Sequence, residues 1–101
     1  MTLIRSELIG FGHYLPAKVL TNDDMAKMVE TNDEWISTRT GIKSRHVAAE
    51  NEFTSDISLI AARNALKSAN ISAEDLDLII VATVTTDDTT PSTAAKISGK
   101  L

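Results

Sequence analysis

Cysteine is absent from the 101 residues. That excludes disulfides, thiolate-held zinc, iron–sulfur clusters and a cysteine nucleophile within the chain. Long apolar runs are missing too: the longest, Leu78 to Ala82, falls far short of the roughly 20 residues that span a bilayer. Met1 to Glu7 lacks the apolar core of a secretory signal. A cytoplasmic protein without membrane contact is expected. Asn70-Ile71-Ser72 therefore reads as a helix stop and a following cap rather than a glycan acceptor. Positive charge is in deficit, 10 Lys and Arg against 14 Asp and Glu for a net charge of −4. A nucleic-acid binder would need a basic face to neutralise phosphates, so none is expected. What is present is ordinary soluble composition, 43% hydrophobic and 24% charged, with room for one domain at most.

Leu8, Ile9 and Phe11 read as a short strand that breaks into a turn at Gly10-x-Gly12 and Leu15-Pro16. A dinucleotide fingerprint would need a third glycine where Leu15 stands, and it fails. Thr21 or Asn22 caps a short helix with Met25, Met28 and Val29 on one face, and Thr31 or Asn32 caps a second that ends at Gly41. From Thr54 to Ala69, Ile57, Ile60, Ala61, Ala65 and Leu66 repeat on one side, widened by Leu59, Ala62 and Ala69. So broad an apolar circumference predicts a helix covered on more than one side, with alanines allowing close approach. Asn70 is expected to end it in the left-handed conformation, and Ser72 to open a further turn through Glu74 and Asp75. Leu78 to Val84, β-branched and without alternation, predicts a central strand covered on both faces. Thr85 to Thr90 is polar loop, and Pro91-Ser92 opens a last helix from Thr93 to Leu101. Strand, helix and buried strand make a βαβ unit, hence an α/β fold with helices on both faces of a sheet. The 101 residues do not supply all those layers, and the pattern predicts continuation past Leu101.

Chemistry concentrates in one place. No acidic residue lies between Trp35 and Ala49, while Arg39, Lys43 and Arg45 supply three of the ten cations and His46 adjoins them. Trp35 and Arg39 are one helical turn apart, so an indole that can stack a base sits beside a guanidinium that can hold a phosphate. The same spacing also suits a half-buried Trp with the Arg stem laid across it and no ligand. His13 and His46 have no partners at metal spacing. Asp87-Asp88 lies in a loop without a third ligand, and no Ser or Thr sits in a nucleophile elbow. No metal site and no catalytic constellation is predicted.

Asp33-Glu-Trp-Ile-Ser-Thr-Arg-Thr-Gly-Ile42 followed by Arg45-His46 resembles the signature of the β-ketoacyl-acyl-carrier-protein synthase III family, thiolase-fold condensing enzymes that initiate fatty-acid synthesis. Ile9-Gly-x-Gly-x-x-Leu-Pro16, the Ala-rich helix, Asp77 to Thr83 and Pro91-Ser92 fall in the family's order. The resemblance implies that residues 1–101 form the first part of the N-terminal thiolase-like domain of an αβαβα-layered fold, whose second half is absent here. It places the family's catalytic Cys, His and Asn beyond Leu101. Trp35 and Arg39 match the residues that stack on the adenine and meet the phosphates of coenzyme A, and Thr31 and Thr40 match threonines near it. Thr90 occupies a position that bounds the acyl pocket and is often a bulky aromatic. The implied partners are acyl-coenzyme A, malonyl-acyl-carrier protein and a second subunit in a homodimer, with no cofactor besides the substrate coenzyme. Three alternatives stay open: another thiolase-fold condensing enzyme, a non-catalytic truncated or split chain that binds coenzyme A or a partner subunit, and a free-standing α/β interaction domain.

Overall fold

The computed structural model describes residues 1–101, which divide into two compact units, Leu15–Glu52 and Met1–Tyr14 together with Phe53–Leu101. No linker in the sequence marks the division.

In the unit Leu15–Glu52, strand β1 (Lys18–Thr21) pairs antiparallel with β2 (Ser44–Val47), in register from Lys18 opposite Val47 to Thr21 opposite Ser44. Neither strand is foreseen by periodicity, since each is four residues of mixed polarity. Helix α1 (Asn22–Ala26) starts with a reciprocal cap: Thr21 Oγ1 accepts from the Asp24 amide and Asp24 accepts from the Thr21 amide at 2.9 Å. The predicted apolar face through Val29 does not form. Five residues close few helical bonds, and Met28 and Val29 stay exposed, so no burial sustains another turn. Helix α2 (Asp33–Thr40) is capped by Asn32 and ends at Gly41, whose φ of 73° is the left-handed geometry that favours glycine.

In the other unit, α3 (Thr54–Ala69) ends at Asn70 with φ 55°, as its sequence predicts. A 3-10 turn follows at Ala73–Asp75, and α4 (Thr93–Lys100) is capped by Ser92 Oγ, which accepts from the Ala95 amide at 3.1 Å. Helices α3 and α4 pack together, Arg63 donating to the Lys100 carbonyl at 3.1 Å, and the Thr90–Pro91 peptide is cis. Residues 10–13 lie along α3, with the Phe11 amide donating to Ser68 Oγ and Asn64 Nδ2 to the His13 carbonyl. A Cβ on Gly10 would fall 2.7 Å from Ala69 Cβ, and one on Gly12 would fall 2.1 Å from the Ala61 carbonyl oxygen. Glycine against alanine is what permits this approach.

The α/β class holds, but the βαβ unit is not closed in these residues. The sheet consists of β1 and β2 alone, and neither 8–11 nor 78–84 joins a hydrogen-bonded ladder. Both segments instead line a groove of about 840 Å³ floored by Ala61, Ala62 and Ala65 of α3, whereas a ladder needs strands about 4.8 Å apart. The expected cover on both faces of 78–84 is also not met. Ile79, Val81 and Thr83 are half-buried, while Leu78, Ile80 and Val84 are exposed.

Candidate functional site

Helix α2 buries none of its residues, so its ends and its polar contacts fix it. Asn32 Oδ1 accepts from the Trp35 amide at 2.8 Å, Asp33 and Glu34 occupy the positive first turn, and the Gly41 amide returns to the Ser37 carbonyl at 2.9 Å. The anchor from outside the helix is Asn22, which is 2% exposed. Its Nδ2 donates to Asp33 Oδ1 at 2.7 Å, to the Ile42 carbonyl at 2.8 Å and to Ser37 Oγ at 3.3 Å, while its Oδ1 accepts from Arg45 at 2.9 Å. Hydrogen bonds from Asn22 and then Ser37, with Lys43 nearby, hold the Asp33 carboxyl below its ordinary pKa of 3.8. Asparagine was foreseen here as a possible cap. Thr21 takes that role and frees the amide of Asn22 to join α1, α2 and β2. Two cap-type residues in tandem were the available signal, since one helix needs one cap.

The acid-free segment loses two of its cations to internal bonds. Arg45 donates to the Leu20 carbonyl at 3.2 Å and to Asn22, and His46 Nδ1 lies 2.6 Å from the Pro16 carbonyl, so that nitrogen carries the proton. Lys43 Nζ donates to Ser37 Oγ at 2.9 Å. Arg39 alone is directed at the indole: its Cζ is 4.5 Å from the Trp35 ring centroid, and it takes part in none of the chain's ion pairs. Trp35 is 54% exposed, a cation–π pair at the surface rather than a core contact.

Two shallow depressions flank the indole. One, of about 310 Å³, is lined by Asn32, Glu34, Trp35, Thr38 and Arg39; the other, of about 400 Å³, by Glu30, Thr31, Asn32 and Trp35. Trp35, Arg39 and Thr31 are thus brought together. Thr40 lines neither, and its hydroxyl donates to the Ile36 carbonyl at 2.7 Å and accepts from the Ile42 amide at 3.0 Å, closing the helix end. Thr90 belongs to the other unit, in the exposed loop before α4. An exposed aromatic plane with a guanidinium on it and polar depressions beside it suits a planar, anionic ligand such as a nucleotide.

No protein-family model matches the chain. Over 98 residues it is 56% identical to the β-ketoacyl-[acyl-carrier-protein] synthase III of Rhodospirillum centenum, a match that covers 97% of this chain and 30% of that protein. Along nearly its whole length the chain is thus similar to one stretch of the β-ketoacyl-[acyl-carrier-protein] synthases III. It therefore spans about 30% of the length of the curated relatives it matches. The crystal structure of the 3-oxoacyl-[acyl-carrier-protein] synthase III of Aquifex aeolicus superposes with a TM-score of 0.83 at 52% identity, over 91% of this chain and 30% of that one. The priming β-ketosynthase of the R1128 polyketide pathway reaches the same TM-score, 0.83, at 32% identity, over 92% of this chain and 28% of that one. The fold is the thiolase-like α/β fold of these condensing enzymes, and identity favours synthase III over the priming ketosynthase. No helix is long and apolar enough to cross a membrane.

Proposed function

We propose that the chain is the coenzyme-binding N-terminal part of a cytoplasmic, homodimeric β-ketoacyl-acyl-carrier-protein synthase III that joins acyl-coenzyme A to malonyl-acyl-carrier protein. The observation that carries this reading is the exposed Trp35–Arg39 pair between two depressions, on a helix whose sequence matches the synthases. Trp35 offers its ring to the adenine, and Arg39 reaches the phosphates. Thr31 lines the second depression, and Thr40 shapes the helix end behind them. Acyl-coenzyme A is a substrate, and the reaction uses no further cofactor.

In the first half-reaction a cysteine thiolate attacks the acyl carbonyl and the coenzyme thiolate departs. In the second, malonyl-acyl-carrier protein loses CO₂, and the resulting carbanion attacks the enzyme thioester, releasing the cysteine and the β-ketoacyl product. The 101 residues contain no cysteine; on this reading they hold the coenzyme, and the nucleophilic cysteine and the His and Asn that stabilise its intermediates are residues outside them. The chain alone is inactive on this reading.

The test is the pair of half-reaction rates in the full-length protein. Stacking on an aromatic contributes about 1 to 3 kcal/mol per base and a charge-assisted hydrogen bond about 1.5 to 3. Trp35→Ala and Arg39→Ala should each slow acyl transfer from coenzyme A by roughly ten- to a hundredfold, with condensation from pre-acylated enzyme much less affected. The Arg39 effect should shrink as salt rises, because screening weakens its hold on phosphate in the parent enzyme. An unchanged first half-reaction in folded variants would make the pair a packing contact.

A further inference from the structure

The two depressions beside Trp35 differ in what they offer a ligand. In the first, the Arg39 guanidinium already lies over the indole, its Cζ 4.5 Å from the ring centroid, and Glu34 and Thr38 complete the wall with Asn32. The second, of about 400 Å³, reaches the indole through Glu30, Thr31 and Asn32, and Arg39 is not in its lining. A base needs ring surface that no other group covers. A guanidinium stacked on the ring is in turn placed to meet the phosphates of the same ligand. The depression without Arg39 is therefore the base side of the site.

Its polar groups have a fixed sense. Asn32 Oδ1 accepts from the Trp35 amide at 2.8 Å, which orients the side-chain amide and leaves Nδ2 as a donor. Glu30, exposed in the bend between α1 and α2, takes part in none of the chain's ion pairs. A carboxylate repels the phosphates of an anionic ligand, so it favours binding only where it faces a hydrogen-bond donor. An acceptor beside a donor matches a 6-aminopurine, whose exocyclic amine donates while the neighbouring ring nitrogen accepts. A 6-oxopurine in the same pose turns a carbonyl oxygen toward the carboxylate and leaves both without a partner. We propose that Glu30, with Asn32, reads the base of the coenzyme, taking a 6-aminopurine and rejecting a 6-oxopurine. The proposal rests on the function proposed above. Trp35 and Arg39 supply affinity that any purine nucleotide would share, and Glu30 supplies the choice among them.

The experiment titrates the full-length protein with adenosine 3′,5′-bisphosphate and inosine 3′,5′-bisphosphate in a calorimeter. These carry a base and phosphates without a thioester, so binding is read apart from catalysis. In parallel, kcat/KM is measured for acetyl-coenzyme A and its hypoxanthine analogue. The parent should bind the adenosine form about tenfold more tightly or better, because a site built to accept from an amine rejects the analogue that lacks it, and kcat/KM should show the same preference. Glu30→Gln can present either a donor or an acceptor and should cut that ratio to about threefold or less. Glu34→Gln removes the same charge from the other depression and should strengthen both nucleotides alike, with the ratio kept. Hydrogen exchange across α2 should be the same in all three proteins, since both glutamates are exposed. Equal affinity of the parent for the two nucleotides overturns the base reading. A ratio that survives Glu30→Gln, or falls as far in Glu34→Gln, overturns the role of Glu30. A parent that discriminates between the nucleotides yet transfers no acyl group overturns the function above and leaves the base reading standing; one that condenses without discriminating does the reverse.

Discussion

In the unit Leu15–Glu52 a polar residue does what an apolar core does elsewhere. Pro16 is the one buried apolar residue there, and the other buried residue is Asn22, whose amide joins α1 to α2 and β2. Removing it takes one partner from Arg45, which keeps the Leu20 carbonyl, and the amide donor from the Asp33 carboxylate and the Ile42 carbonyl, and each lost hydrogen bond costs about 0.5 to 1.5 kcal/mol net. Asn22→Ala should therefore lower the melting temperature and quicken exchange across α2. It should also slow acyl transfer from coenzyme A more than condensation, because Trp35 and Arg39 ride on that helix. If the two half-reactions fall equally, Asn22 supports the fold without orienting the site. At Thr90, where the resemblance places a wall of the acyl pocket, each extra buried methylene is worth about 0.8 kcal/mol. Thr90→Phe in the full-length enzyme should then depress use of longer acyl chains more than acetyl, and equal losses across chain lengths would remove Thr90 from the pocket.

At the scale of elements, the helix ends were legible and the sheet was not. Asn32, Gly41, Asn70 and Ser92 act where the sequence puts them because capping is local chemistry, settled within three or four residues. The pairing of β1 with β2 joins residues some two dozen positions apart with no apolar period to announce it. The site divides in the same way. The one-turn Trp35–Arg39 spacing was readable, whereas the inward turn of Arg45 and His46 depends on tertiary partners, Asn22 and the Pro16 carbonyl. Capping carboxylates give the fold a signed pH dependence. The Asp24 carboxyl is held below its ordinary 3.8 by the Thr21 amide and hydroxyl, and that of Asp87 by the Ser55 hydroxyl and amide with help from Lys96. A depressed pKa means that the folded state favours the ionised form. Its contribution is complete above the unfolded value and lost as pH falls through the lower folded one. Denaturant titrations should show stability level in this respect from pH 5 to 8 and falling below about 4, with a shallower acid limb in Asp87→Asn; an unchanged limb would deny Asp87 that role. Close approach is testable too. Gly12→Ala forces a methyl into the Ala61 carbonyl, overpacking of the kind that costs about 1 to 3 kcal/mol or more. Gly41→Ala meets no atom and carries only the left-handed penalty, about 1 to 2 kcal/mol. Equal melting shifts for the two would mean that residues 10–13 do not press on α3.

Over the whole molecule, the accessible surface is 8123 Å², whereas a folded monomer of this mass exposes about 5,600 Å². Many large apolar side chains are exposed. Ile97 is the one fully buried hydrophobic side chain, while Leu8, Phe11, Leu78, Ile80 and Val84 stand in solvent. The groove over the α3 alanines is an apolar concavity without a covering layer. Backbone groups of 8–11 and 78–84 outside any ladder offer unpaired edges, and apolar edges of that kind recruit other chains. The 101 residues expressed alone should therefore melt over a broad range, bind a hydrophobic dye and elute earlier in size exclusion as concentration rises. Ile80→Lys places a charge in the middle of the exposed edge and should reduce association while leaving β1, β2 and α2, judged by exchange, as they were. The two readouts separate the causes: association through 78–84 responds to Ile80→Lys, and general unfolding does not. A concentration-independent monomer with a sharp cooperative transition would show that these residues bury enough surface by themselves, against the areas above.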